Sequence, residues 1–180
     1  MAHDPIRACV HYRPRYPDQG QRRPAILVRM AITAIDPGRI LEYLQGCRSL
    51  QLATLGPDGW PHQATMWFGV LDGDPVMWTQ KTSVKARNIR HDPRVSCLAE
   101  SGRAYDELRG VSARGRAELV EDPDELVRIG AVVIPRYWEE PLPDSRAMAL
   151  SGARVGIRIH VEHWASWDFS TAGAADRKRS

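Results

Sequence analysis

The 180-residue chain predicts a mainly β, α+β domain: antiparallel strands with peripheral helices. Two tight-turn signatures, GPDG at 56–59 and DGDP at 72–75, punctuate runs rich in apolar and aromatic residues, which is hairpin chemistry. The segment ARVGIRIHVEH alternates. Val155, Ile157, Ile159 and Val161 share one face; Arg154, Gly156, Arg158, His160 and Glu162 share the other. No strand–helix–strand alternation of the kind that builds a parallel sheet runs through the chain. Long strands joined by hairpins remove their edges by closing into a barrel.

Taken in order, residues 1–29 set Pro5, Pro14, Pro17 and Pro24 among arginines without any period, which predicts a disordered basic arm. The barrel domain is expected over 30–172, with a flexible tail over 173–180. Its first helix has Asp36 as cap, Pro37 at the first position, and Ile40, Leu41 and Leu44 on one face. SLQLATL, WPHQATMWFGVL and VMWTQ then read as three strands joined by two turns, an antiparallel meander. Ser83 to Arg90 is a short helix, broken by HDP, and RVSCLAE resumes a strand. LRGVSARGRAELVE is a long strand in which Gly110 and Gly115 predict bulges or a bend. DPDELVRIGAVVIPRYWEE is a helix started by Asp122, Pro123 and Glu125 and kinked or ended by Pro135. Residues 141–153 read as a loop with about one helical turn, and WASWDF as a short strand or turn after the last long strand. The expectation is six or seven strands and three helices.

Composition excludes several classes of function. Residues 1–30 hold six arginines against Asp4 and Asp18, a local +4; the total is +3, so the rest of the chain carries −1. A near-neutral globular part gives no case for nucleic acid. Cys9, Cys47 and Cys97 lie far apart without a CxxC, so neither a disulfide framework nor a zinc site is expected, and reduced thiols in the cytoplasm are the simplest reading. No run reaches membrane-span length. No GxSxG, HExxH or P-loop is present, and no metal site is expected. His160 and His163, three apart on a strand, should face opposite sides and not chelate together. Cys97 reads as core.

One stretch concentrates chemistry: TQKTSVKARNIRHDPRV, residues 79–95. Ser83 is placed to cap a helix whose first turn presents free N–H groups and the positive end of its dipole. Lys85 and Asn88 share a face, and Lys81 precedes them in the loop. Hydroxyl, amide and ammonium donors around one point are what a phosphate monoester or diphosphate requires. A solvated helix between two strands shows the same residue types, and the residues alone leave both readings open. Six tryptophans predict a core or an interface; Trp67, Trp78 and Trp167 are candidates to line one cleft against a flat ring.

The succession LATLGPDGWPHQATMWFGVLDGDPVMWTQKTSVKARNIRHDPRVSCLAE, YDELRGVSARGRAELVEDPDE and VGIRIHVEHWASWDF, about residues 34–170, resembles the flavin/deazaflavin oxidoreductases of the pyridoxamine 5′-phosphate oxidase-like superfamily, closest to its actinobacterial, coenzyme F420-using branch. The resemblance implies a split β-barrel of the FMN-binding-protein kind, a homodimer with two cofactor sites at its interface, and FMN or F420 as cofactor. It implies that Trp78 and Thr79 border the ring or ribityl chain and that Lys81, Ser83, Val84, Lys85 and Asn88 surround the phosphate. It further implies that Gln63, Ala64, Thr65, Met66 and Trp67 run along the ring through backbone groups, that Arg109 and Gly110 make a cofactor contact, and that Trp167 closes the C-terminal edge. The true vitamin B6 oxidases have an arginine where Val84 stands and a glutamine where Gly110 stands, and their substrate-phosphate arginines are not evident in WASWDF. A substrate other than a B6 phosphate is therefore expected: a small conjugated organic molecule receiving a hydride. A non-catalytic flavin or haem carrier is the other expectation, with His62, His91, His160 or His163 to supply a haem ligand.

Overall fold

The computed structural model describes residues 33–139, 144–150 and 152–170. The basic arm expected over 1–29 and the tail expected over 173–180 lie outside the described residues. Seven strands form one antiparallel sheet: β1 (Leu50–Leu55), β2 (Pro61–Met66), β3 (Gly69–Leu71), β4 (Asp74–Gln80), β5 (Arg94–Ser101), β6 (Arg109–Val120) and β7 (Arg154–Asp168), in the order β2-β1-β5-β6-β7-β4-β3.

That order corrects the expected meander. WPHQATMWFGVL is not one strand: it stops at Met66 and restarts at Gly69, and the two halves lie at opposite edges of the sheet. Laid flat, seven strands at about 4.8 Å spacing would part those edges by about 29 Å. Three peptide steps from Met66 to Gly69 span at most about 11 Å. The sheet therefore curls until its edges meet, and Trp67 and Phe68 are the crossing. The break is possible because the Tyr137 hydroxyl supplies what the ladder no longer does. It accepts from the Phe68 N–H (3.0 Å) and donates to the Phe68 carbonyl (3.3 Å), while the Phe68 side chain is fully buried.

Inside the curl lie Leu50, Leu52, Met66, Phe68, Met77, Val95, Cys97, Ala99, Val111, Ala113, Ala117, Ile157 and Ile159. One end is filled by helix α1 (Ile40–Gly46), entered through a 3-10 turn that Asp36 caps by accepting from the Gly38 N–H. A second core lies outside the barrel wall, where Val76, Trp78 and Val120 meet Leu126, Ile129 and Val133 of α3 (Pro123–Val133). Helix α3 starts as its sequence predicts, Asp122 accepting from the Asp124 and Glu125 N–H groups. It ends at Val133, and Pro135 falls in a 3-10 turn over Ile134–Arg136, so the expected helix is shorter at its C-terminal end. A fourth helix, α4 (Ser145–Leu150), stands where about one helical turn was expected within 141–153, and runs six residues. Helix α2 (Val84–His91) is where the sequence puts it. No helix among the described residues is long and apolar enough to cross a membrane.

The final strand runs fifteen residues and absorbs WASWD. Its register slips between Arg114 and Gly115: Arg114 faces His163 and Gly115 faces Val161, which leaves Glu162 as the extra residue of a bulge. The slip reverses which residues point inward. Val155, Ile157 and Ile159 are buried before it; after it Trp164 packs on the core. The expectation for His160 and His163 is corrected accordingly: both lie on the outer, exposed side. Among the described residues there is no group of three or more His, Cys, Asp or Glu placed to hold a metal ion. His160 instead meets Asp74 (3.2 Å) and Glu118 (2.9 Å).

Candidate functional site

At the end of β4 the chain turns into α2, and Ser83 sets the geometry. In extended conformation (φ −64°, ψ 155°), it accepts at Oγ from the Ala86 N–H (3.3 Å). The buried Thr79 hydroxyl donates to the same oxygen (3.1 Å). Ser83 keeps its own proton to donate, and the N–H groups of Val84 and Lys85 have no partner within the helix. The loop is tied down from three sides: Lys81 N–H to the Ala153 carbonyl (3.0 Å), Arg87 to the Thr82 carbonyl (2.6 Å), and Arg90 to the Lys81 carbonyl (3.0 Å).

Lys85 is the charge of this cradle. It is half-buried, and burial pushes its ammonium pKa down. No hydrogen bond or ion pair joins it to any described residue, so no described residue offsets the cost of its burial. Lys81 differs: its ammonium stands 3.9 Å from Glu121, which also holds Arg90 at 3.4 Å. Asn88 turns inward rather than toward the cradle, 5% exposed, its amide donating to the buried Thr54 hydroxyl (3.0 Å). Val84 is exposed and brings no charge.

The three tryptophans expected to share a cleft do not. The Trp78 indole lies in the second core, its Nε1–H donated to the Leu126 carbonyl (3.1 Å), because β4 is buried on both faces and Trp78 takes the α3 side. Only its backbone, with Thr79, borders the cradle. Trp67 stacks on Tyr137, and Trp167 lies over Gly110, where an added Cβ would come within 2.1 Å of the indole. The Arg109 side chain points to the other face, to Asp168 (2.8 Å) and over the Tyr43 ring. Gly110 and Trp167 pair near the end of β7, whereas Thr79 pairs with Val155 near its start, roughly 40 Å of strand away. Within one chain these two groups of candidate residues therefore lie apart.

Among the described strands β2 is an edge, paired with β1 alone, so no described strand takes the ladder groups of its outer side. Along it Gln63, Thr65 and Trp67 are exposed and alternate with the more buried Ala64 and Met66. Between the β1–β2 turn and the start of α2 opens a cleft of about 590 Å³, lined by Trp60, His62, Val84, Arg87 and Asn88 among others. Two of these, Trp60 and Arg87, escape the sequence reading as site residues; His62 enters it only as a candidate haem ligand. Trp60 is 75% exposed, an unusual state for the largest side chain. His62 has a buried Nδ1 with no partner. Arg87 lies one turn into α2 from the cradle. The signal for Trp60 was its place beside a tight turn; His62 is marked only by its residue type, as one of four candidate haem ligands.

A model of the pyridoxamine 5′-phosphate oxidase family matches residues 37–168. Among solved structures, a conserved hypothetical protein, Rv2991, from Mycobacterium tuberculosis is 42% identical; the match covers 79% of this chain and 89% of that one, with a TM-score of 0.72. An F420 reductase is 25% identical over 69% of this chain and 94% of its own, with a TM-score of 0.52. The haem storage protein of Vibrio cholerae shares the fold at 19% identity, covering 74% and 97%, with a TM-score of 0.61. No match is found among curated proteins. Family model, sheet order and curled antiparallel barrel agree: the chain belongs to the pyridoxamine 5′-phosphate oxidase family and has its split-barrel fold.

Proposed function

We propose that this protein is an oxidoreductase that holds a phosphorylated planar redox cofactor, coenzyme F420 or FMN, and passes a hydride to a small conjugated organic substrate. The observation that carries the reading is the half-buried Lys85, unpaired beside the Ser83 hydroxyl and the free N–H groups of the first turn of α2. A phosphate there would supply the missing counter-charge and accept each of those donors. When bound, such a cofactor supplies the hydride chemistry; the chain positions it and keeps water away. Thr79 and Ser83 would hold the phosphate end, and the open edge of β2 from Gln63 to Trp67 offers backbone groups along a ring.

The separation of the two groups of candidate residues supports a homodimer in which Gly110 and Trp167 of a second copy complete the cradle of the first. Val84, uncharged at the cradle, argues against a B6 phosphate as substrate. Fluorescence titration with F420 and with FMN tests the reading. Dissociation constants below about 100 μM are expected for at least one, about −5.5 kcal/mol. Binding by neither, or full binding by Lys85→Ala, would refute it.

A second reading, a haem carrier, rests on one observation: His62 lines the cleft of about 590 Å³ beside the cradle, its Nδ1 buried and without a hydrogen-bond partner among the described residues. Two structural neighbours are described as haem proteins. The absorption spectrum of the purified protein separates the two. A Soret band lost in His62→Ala supports haem; its absence, with turnover of reduced F420 or FMN, supports the enzyme.

A further inference from the structure

The crossing between β2 and β3 carries more than closure of the barrel requires. The Trp67 indole lies flat on the Tyr137 ring, centroids 4.7 Å apart and 8° from parallel, and Trp138 meets Trp67 edge-on at 4.7 Å. Tyr137 is explained by its hydrogen bonds to Phe68. The two indoles are not: Trp67 is 48% and Trp138 38% exposed, among the few large apolar side chains in that state. Beside them the guanidinium groups of Arg48 and Arg136 both stand within 6 Å of the Tyr137 ring, at 5.5 and 5.9 Å. Arg136 has a structural task, donating to the carbonyls of Gln45 (2.9 Å) and Cys47 (2.7 Å), yet its Nε is buried without a partner. Arg48 is exposed and makes no hydrogen bond or ion pair with any described residue; its guanidinium stands over the ring. Among the described residues neither arginine is paired with a carboxylate. A cavity of about 250 Å³, lined by Gln45, Gly46, Cys47, Arg48, Arg136 and Tyr137, opens between them.

Two like charges thus stand beside exposed indoles with no carboxylate partner among the described residues, Arg48 over the Tyr137 ring and Arg136 between it and the Phe68 ring (4.8 Å). One class of ligand answers both features. A carboxylate accepts a guanidinium's donors in a fork, and a flat ring attached to it packs on indole. We propose that this shelf, Trp67 and Trp138 with Arg48 and Arg136, is a binding subsite for a planar aromatic carboxylate. It stands apart from the phosphate cradle and does not depend on the cofactor reading.

The full chain, without cofactor, is titrated calorimetrically with 2-naphthoate and with 2-naphthamide, which has the same ring and no charge. Saturable binding of the carboxylate is expected, roughly tenfold or more tighter than the amide, the contribution of charged hydrogen bonds. Arg48→Gln should erase that preference, and Trp67→Leu should weaken both ligands alike. Lys85→Ala should leave both affinities unchanged, since naphthoate captured by the phosphate cradle would lose affinity there. Equal affinity for acid and amide, an undiminished preference in Arg48→Gln, or loss in Lys85→Ala would overturn the proposal. So would the absence of saturable binding at concentrations of about 10 mM, the limit of a useful subsite.

Discussion

Tyr137→Phe isolates the crossing that turns a sheet into a barrel. The substitution keeps the ring, and with it the stack on Trp67, and removes only the hydroxyl that serves both backbone groups of Phe68. Phe68 is fully buried. Its N–H and carbonyl would then have neither ladder nor solvent. An orphaned buried group costs about 1–3 kcal/mol, and the longer 3.3 Å bond to the carbonyl belongs at the low end, so the pair sums to about 2–3 kcal/mol. For a chain of this length that lowers the melting midpoint by roughly 5–10 °C. Urea unfolding should show the same loss with an unchanged m-value, because the exposed surface is unaltered. A midpoint within about 1 °C of the parent would refute the reasoning, since it would mean water or a backbone shift satisfies Phe68 as well as the hydroxyl does.

Three other outcomes are expected. Lys85→Met should bind phosphorylated cofactor roughly tenfold or more weakly yet melt higher than the parent. Burial depresses the pKa of Lys85, so its destabilisation is full below the folded pKa and fades as pH rises past the unfolded one; the gain in the midpoint should therefore shrink at strongly alkaline pH. Gly115→Ala should cost about 2–3 kcal/mol by urea unfolding, because its Cβ would fall 2.1 Å from the His160 carbonyl oxygen, a backbone atom of the bulge that cannot step aside. In a Cys9→Ser background, Cys47 and Cys97 should react with a thiol reagent only as fast as the protein opens. Both are buried, and burial pushes the Cys97 thiol up to about 12.

What the sequence revealed was what neighbours in the chain determine. Ser83, Asp122 and Asp36 are caps because a hydroxyl or carboxylate two or three residues from a free N–H needs no distant partner. The Asp72–Gly73 turn and the alternation of Val155, Ile157 and Ile159 are equally local. What stayed hidden depended on residues far away. The break at Trp67–Phe68 reads as continuous strand because the hydroxyl that permits it arrives from Tyr137, sixty-nine residues later. Asn88 looks like a phosphate ligand by spacing, and becomes a core residue because Thr54 lies beneath it. Trp78 sits in a strand buried on both faces, where period two no longer says which side meets a ligand.

The bulge at Glu162 has the widest consequence for the candidate site. Before it, odd-numbered residues of β7 enter the barrel; had that parity continued, Trp167 would point inward with them and Trp164 outward. One extra residue reverses the assignment. Trp164 joins the core, Asp168 turns in to hold Arg109, and Trp167 emerges on the outer face against Gly110, the position at which a side chain would collide with it. Gly110 and the bulge are thus one device: the glycine gives the indole its seat, and the bulge delivers it there. An outward Trp167 lies at the far end of β7 from the strand residues that border Lys85 in its own chain. The same inserted residue that obscures the pattern in the sequence is what places Trp167 on the outer face, against Gly110.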